Sequence, residues 1–235
     1  MATKKTTETT KETINISDKK NTKTISIKPL NVKTVEIVIE GDSDLILNKM
    51  TDSSITEIVE KQTGKTGKKA KEAINQWQRL LEGIHWMDGK ETDFTEDGWK
   101  NALSNNRIGY DASGIKKGIC DAAVRVLGES KSTITNANIQ VLPEKANLIP
   151  ILFTEVGIDE SVITNYKGNA FVTYRNVFSG WSAKFRIQFM ADNISVEQLI
   201  ELVQAMGFAG GLGAHRVGLK GGTNGQFHVA SVKYV

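Results

Sequence analysis

WSAKFRIQFMADNISVEQLIELVQAMG, residues 181–207, holds two hydrophobic periods back to back, and the change from one to the other sets the fold class. In its first part Trp181, Ala183, Phe185, Ile187 and Phe189 alternate with Ser182, Lys184, Arg186 and Gln188. A period of two is a strand with one buried face, and here the other face is cationic. In its second part Val196, Leu199, Ile200, Val203 and Met206 recur at three-to-four spacing, the stripe of an amphipathic helix. Ser195 stands three residues before Gln198, a capping-box spacing that opens this helix, and Gly207 is placed to end it. Next come a glycine-rich turn and a last strand within GQFHVASVKYV, residues 225–235.

Upstream, Val35, Ile37 and Ile39 alternate with Glu36, Val38 and Glu40 until Gly41 and Asp42 break the run, giving a first strand. A helix is expected over Ser113 to Leu127, with Ile115, Ile119, Ala122, Ala123 and Val126 on its apolar side and Gly128 as cap. Two short strands, Asn138 to Leu142 and Leu148 to Phe153, form a hairpin or a bent pair. The order approximates β-α-β-β-α-β, an α+β ferredoxin-like core over residues 31–235 as a single domain. Into it are set a large helical insertion at about 51–112 and a long loop or hairpin projection at about 154–180, in which FVTYRNVF supplies one exposed strand. Within the insertion, Ile55, Ile58, Val59, Ala70, Ile74, Trp77, Leu80, Leu81 and Ile84 read as two helices between Ser54 and Trp86. From His85 to Asp111, the turn signals Asp88-Gly89 and Asp97-Gly98 point to a mixed excursion without core strands. Residues 1–30, rich in Thr, Lys and Asn, bury too little to repay ordering and read as a flexible basic arm.

Composition excludes several classes. No apolar run of about 18 residues exists and the N-terminal sequence lacks the apolar centre of a secretory signal, so a cytoplasmic protein without membrane contact is expected, in the host cytoplasm if phage-encoded. Cys120 is the single cysteine, read as a small buried hydrophobe. His85, His215 and His228 show no ligand spacing, so neither metal nor cofactor is expected. Gly64-Lys65-Thr66 is not a P-loop, because the required glycine five residues earlier is Val59. The C-terminal glycines lie between a helix and the next strand, the reverse of a dinucleotide fingerprint.

Net charge is only +3, but its placement is uneven. Eight lysines in residues 1–33 face Glu8, Glu12 and Asp18, and residues 202–235 contain Arg216, Lys220 and Lys233 with no acid. Gly210, Gly211, Gly213, Gly221 and Gly222 let backbone N–H groups approach a phosphate, with His215, Arg216 and Lys220 supplying donors. The bland alternative is that these glycines only satisfy tight turns. Lys184 and Arg186 on the cationic strand face extend the surface. Tyr166, Phe171, Tyr174, Phe178 and Trp181, interleaved with Lys167 and Arg175, suit stacking on unpaired bases, unless they pack back on the sheet. The lysine cluster from Lys61 to Lys71 reads as a solvated surface.

Strand, helix and glycine-rich stretch ending Gly-x-Phe before a final strand together resemble the RAMP proteins, ferredoxin-like subunits of CRISPR effector complexes. The matching residues are Gly210-Gly211-Leu212-Gly213, Arg216 and Gly221-Gly222-Thr223-Asn224-Gly225-Gln226-Phe227. The pattern is also similar to a group of uncharacterised phage and prophage proteins, with GYDASGIKKGICDAA (109–123) matching their central helix. The resemblance spans about residues 32–50 and 108–235. It implies a sheet-based module that binds single-stranded nucleic acid, with copies side by side. Gly222-Thr223-Asn224 departs from it, since RAMP loops carry more Arg or Ser there, and no residue pair matches a processing nuclease.

The expected function is therefore a non-enzymatic protein of phage or bacterial type that binds single-stranded DNA or RNA as a homo-oligomer or filament. Its rivals are a self-assembling structural protein without nucleic acid and a metal-independent nuclease relying on His215.

Overall fold

The structure is a computed structural model and describes residues 13–16, 23–26, 29–64, 75–128, 132–164, 168 and 170–235. In chain order, β1 (Thr13–Ile16) pairs antiparallel with β2 (Lys23–Ser26), and β3 (Val32–Gly41) and β4 (Leu45–Leu47) follow. The insertion holds α1 (Asp52–Gln62), α2 (Gln76–Glu82), β5 (His85–Trp86), α3 (Glu96–Asn105) and β6 (Ile108–Asp111). Then come α4 (Ala112–Arg125), α5 (Ser132–Asn138), β7 (Ile139–Leu142), β8 (Leu148–Leu152), β9 (Glu155–Thr164) and β10 (Ala170–Ser179). Last are β11 (Ser182–Met190), α6 (Val196–Ala205), a π-helical turn at Met206–Gly210 and β12 (Phe227–Tyr234).

The core strands lie in the spatial order β12-β3-β11-β7, every neighbour antiparallel, with α4 and α6 as the two connecting helices. This is the α+β ferredoxin-like arrangement expected from the sequence. Register explains the layering. Ile187 sits opposite Val35, Phe185 opposite Ile37 and Ala183 opposite Ile39, so both apolar stripes share a face. That face is buried under Ile115 and Ile119 of α4 and Leu199 and Val203 of α6. Each of the larger side chains contributes about 1.5–3 kcal/mol by leaving water. The capping box at Ser195 and Gln198 forms as expected. Gly207 does not end the helix. A Cβ there would lie 2.0 Å from the carbonyl oxygen of Phe227, so the residue lets the π turn close onto β12. Val126, read into the stripe of α4, is exposed.

The pair expected at 138–153 is bent: β7 runs along Arg186–Phe189, β8 continues along Ser182–Ala183, and Pro143–Asn147 bulges out between them. Helix α5 before it had no clear period. β8 carries the sheet outward to β6 and β5, giving seven strands, which overturns the expectation that 85–111 holds no core strand. Ile108 is buried there, but four residues are too few to display a period. Asp97-Gly98 is likewise no turn. It lies in the first turn of α3, where the Thr95 hydroxyl accepts from Gly98 N–H at 3.1 Å.

Two helices were expected between 54 and 86, and α1 and α2 are found, but they differ. Leu80 and Leu81 of α2 pack with Trp99 and Ala102 in a second small core. Ile55, Ile58 and Val59 of α1 stay 41–50% exposed. Ala70, Ile74 and the lysines from Lys65 to Lys71 lie outside the described residues. The projection is a hairpin of two ten-residue strands, Glu155 facing Ser179 and Thr164 facing Ala170, and β10 also pairs with β4. The two strands β1 and β2 lie within the arm read as flexible. Their Thr- and Ile-containing runs carry β propensity that composition alone concealed; the rest of that arm before residue 29 lies outside the described residues. Among the described residues no helix is long and apolar enough to cross a membrane.

Candidate functional site

The glycine-rich segment is a folded loop, held by its own backbone. Leu212 is buried at its root and donates to Gly225 O at 2.9 Å, while Gly225 donates to Asp44 O at 2.8 Å and Ala214 to Ile46 O at 2.8 Å. Gly211, Val217, Gly218, Leu219, Gly222, Thr223 and Asn224 donate to carbonyls within the segment and its π turn. Gly213 donates to Tyr110 Oη at 3.3 Å and Gln226 to Ser43 Oγ at 2.9 Å. These donors are spent inside the fold.

This corrects the cradle expected of the glycines. At Gly225, with φ of 71°, a Cβ would stand 1.9 Å from Leu212 O, so glycine is required for packing rather than for a ligand. Gly213 and Gly222 are similarly pressed against Ile46 O and Arg216 O, at 2.3 and 2.0 Å. Gly210 belongs to the π turn and Gly211 is buried. Of the five glycines read as phosphate contacts, Gly221 alone has open space around it and an unspent N–H.

The unspent donors cluster. Between Gly211 and Gln226, the N–H groups of His215, Arg216, Lys220 and Gly221 have no acceptor among the described residues. Arg216 leans back, Nη1 donating to Gly213 O at 3.4 Å, and Lys220 is exposed. Neither forms an ion pair with a described residue. Phe208, on the π turn, is 73% exposed, and Leu219 is exposed beside Lys220. Gly218 packs its backbone on Gly210, which brings these two stretches together. Phe208 had escaped notice in the sequence, although its position off the stripe of Leu199, Val203 and Met206 is a readable signal.

His215 takes φ of 50°, an unusual backbone for a non-glycine residue. Arg175, only 3% exposed, holds it there: Nη1 lies 2.6 Å from His215 Nε2 and 3.1 Å from Asp159 Oδ2. Arginine only donates, so Nε2 accepts and the imidazole proton sits on Nδ1, an assignment made from the bonding network. Arg175 is therefore a clamp between hairpin and loop, not the phosphate contact expected of it. His215 is its acceptor.

The other expected contacts are scattered. Tyr174 packs into the second core, and Phe178 and Trp181 are fully buried, so these aromatics face inward. Phe171 is exposed near the far end of the hairpin. Tyr166 and Lys167 lie outside the described residues. Lys184 and Arg186 do project from the outer sheet face, beside a cavity of about 210 Å³, but Glu36 shares it and approaches Lys184 at 4.0 Å. None of the loop residues lines that cavity.

Elsewhere, Cys120 is buried as expected, which pushes its thiol up. His228 meets Asp42 at 2.7 Å. Among the described residues no group of three or more His, Cys, Asp or Glu is placed to hold a metal ion.

No family model and no curated protein matches the chain. Among solved structures it is similar to a chain of "Cryo-EM structure of the Type III-B Cmr-beta bound to cognate target RNA", at 11% identity and a TM-score of 0.45. The match covers 87% of this chain and 61% of that one. A likeness of that size leaves the fold resting on its own strand order, and no finding supports the phage and prophage group.

Proposed function

We propose that this chain is a non-catalytic nucleic-acid-binding protein that takes the phosphates of a single strand on the loop between the π turn and β12. One observation carries the reading: His215, Arg216, Lys220 and Gly221 present unspent N–H groups and two unpaired cations together, in a stretch without acids from Leu202 onward. Backbone donors and cations of this kind suit phosphate oxygens. Phe208 and Leu219 border the cations with exposed apolar surface. Such surface favours unpaired bases, which offer a face to stack, over a duplex that seals them.

The test is fluorescence anisotropy with labelled single strands of DNA and RNA at two salt concentrations. Two phosphate contacts give a log–log slope of about −1.4, or about sevenfold weaker binding at ~200 mM than at ~50 mM salt. The double variant R216A/K220A should lose at least about tenfold in affinity and most of that slope. No binding at low salt, or a double variant that binds like the parent, refutes the proposal.

A second reading, self-assembly without nucleic acid, is favoured by the exposed Val162, Phe171 and Val172 near the hairpin end and by the free edges of β9 and β12. In the first reading those edges serve copies lined along a strand. Sedimentation before and after nuclease treatment separates the two: particles that persist favour self-assembly.

A further inference from the structure

Two long strands among those described keep a free edge, β9 and β12, and the chain treats them differently. β12 is blunted. A bulge between Val229 and Ser231 breaks its register, the Val229 N–H is taken by Gln204 Oε1 at 2.9 Å, and Lys233 stands on it. Bulges and lysines are common devices that stop an edge from recruiting another strand. β9 has neither. Glu155–Thr164 contains no proline and no lysine, and it pairs with β10 without a shift over all ten residues. On the other side of the same sheet, Ala214 of the glycine-rich loop bridges to Ile46 and covers β4. β9 is thus a long, regular edge whose alternate N–H and C=O groups point away from β10.

Its side chains select a partner. Val162 is 69% exposed and lies opposite Val172, also exposed, so two valines open onto the edge on one face. Asp159 is engaged by Arg175, while Glu155 and Glu160 are exposed and pair with no described cation. Two edges related by a two-fold axis run antiparallel, and the residue on the axis faces its own twin. An axis at Asp159 or Glu160 sets acid against acid, and one at Ile158 or Ser161 sets a valine against Glu160, pairings that weaken a ladder. An axis at Ile163 parts the valines. An axis at Val162 avoids all of these: Val162 meets Val162, Ser161 meets Ile163 and Glu160 meets Thr164. Val172, Val162 and their two twins then form one apolar row across four strands.

We infer that β9 pairs with β9 of a second copy of this chain, antiparallel and centred on Val162, so that a two-fold axis closes a dimer. The inference rests on the self-association of the second reading above and deepens it. A contact of this kind closes on itself, so β9 yields pairs and no filament.

Sedimentation and cysteine cross-linking of nuclease-treated protein test this. The sedimenting mass should rise from one chain to two with concentration. Cys120 is buried, so an added surface thiol is the reactive one. Val162→Cys should give a disulfide-linked dimer under mild oxidation, because opposite Cα atoms in such a pair stand about 4.5–5.5 Å apart, within disulfide reach. Glu160→Cys alone should not link, since its twin lies about four residues along the partner strand, roughly 13 Å away. Mixed with Thr164→Cys, it should. Val162→Lys should keep the parent's melting temperature, because the position is exposed, and raise the dimer dissociation constant at least about tenfold. Glu160→Cys linking as readily as Val162→Cys, or Val162→Lys dimerising like the parent, overturns the inference. Particles that persist after nuclease treatment but do not link through Val162→Cys overturn the β9 pairing and leave self-assembly in place, whereas a protein monomeric at every concentration retires both.

Discussion

Replacing Gly225 by alanine separates the two meanings a glycine can have in this loop. The new Cβ would lie 1.9 Å from Leu212 O, where ordinary contact begins near 3.4 Å, and φ of 71° is unfavourable for any L side chain. The left-handed backbone costs about 1–2 kcal/mol. Relieving the overlap requires Gly225 to leave Leu212, which sacrifices the bonds Leu212 N–H to Gly225 O and Gly225 N–H to Asp44 O. At about 0.5–1.5 kcal/mol for each bond, the total is about 2–5 kcal/mol. Gly221→Ala is the matched control: φ is 75°, but nothing lies near the added methyl, so only the backbone cost of about 1–2 kcal/mol remains. Urea unfolding followed by tryptophan fluorescence reads the difference. With a slope near 2 kcal/mol per molar, Gly225→Ala should lower the midpoint by about 1–2.5 M and Gly221→Ala by about 0.5–1 M. Equal shifts for the two variants would refute the assignment of Gly225 to packing.

Arg175→Met removes the clamp but keeps the buried stem. It should destabilise by about 1–3 kcal/mol, since Asp159 and His215 each lose a partner, and hydrogen–deuterium exchange should speed up over residues 213–225 more than over β3 or β11. Acid stability provides another check. Arg107 bonds to Asp88 and holds that carboxyl down at about 2, against an ordinary 3.8. A depressed carboxylate contributes stability that is fully present above its unfolded value and is lost as pH falls through the folded one. Thermal melts between pH 5 and pH 1.5 should therefore show the parent losing more than Asp88→Asn, with the excess falling between about pH 4 and pH 2. Parallel pH profiles for the two proteins would disprove that role.

The core was legible because long, clean periods wrote it. Nine residues of alternation in β11 and a capped stripe in α6 survive any context, and their register with Val35, Ile37 and Ile39 follows once those faces are buried together. Short elements were not legible. Ile108–Asp111 becomes a strand because β8 offers it a free edge, and His85–Trp86 because β6 in turn does, tertiary facts with no local trace. The candidate site shows where the reading from sequence stops. Arg216 and Lys220 stand where basic residues in an acid-free stretch should stand, but donors available to a ligand cannot be counted from glycines. That count depends on which carbonyls the folded loop meets. Arg175 shows the same limit: a cation between aromatics looks solvent-facing in sequence, and the pairing of Arg175 with Asp159 across β9 and β10 is what turns it inward.

Register also decides which of two cationic surfaces is electrostatically the stronger. Lys184 and Arg186 look like an uninterrupted basic face along β11. Antiparallel pairing, however, sets Glu36 opposite Arg186 and Glu40 opposite Ser182, and β12 returns Lys233 opposite Glu36. Alternating signs a few ångströms apart cancel well within a Debye length of about 8 Å, so a phosphate approaching the sheet meets little net field. The acidic residue bonded to the loop is Asp44, held through its backbone carbonyl, with its carboxylate accepting the Ser179 hydroxyl. Asp159 is engaged by Arg175, and Asp42 by His228. The segment itself supplies no carboxylate. In the proposed reading, two cations within the segment act on an approaching strand, and counterions condensed on the strand are released where it docks. Converting Leu219 to Glu, an exposed position between Arg216 and Lys220, should thus weaken strand binding about as much as deleting one of the two cations, whereas Val38→Glu on the sheet face should change it little. If the sheet substitution proves the more damaging in the same anisotropy assay, the strand runs across β11 and not over the loop.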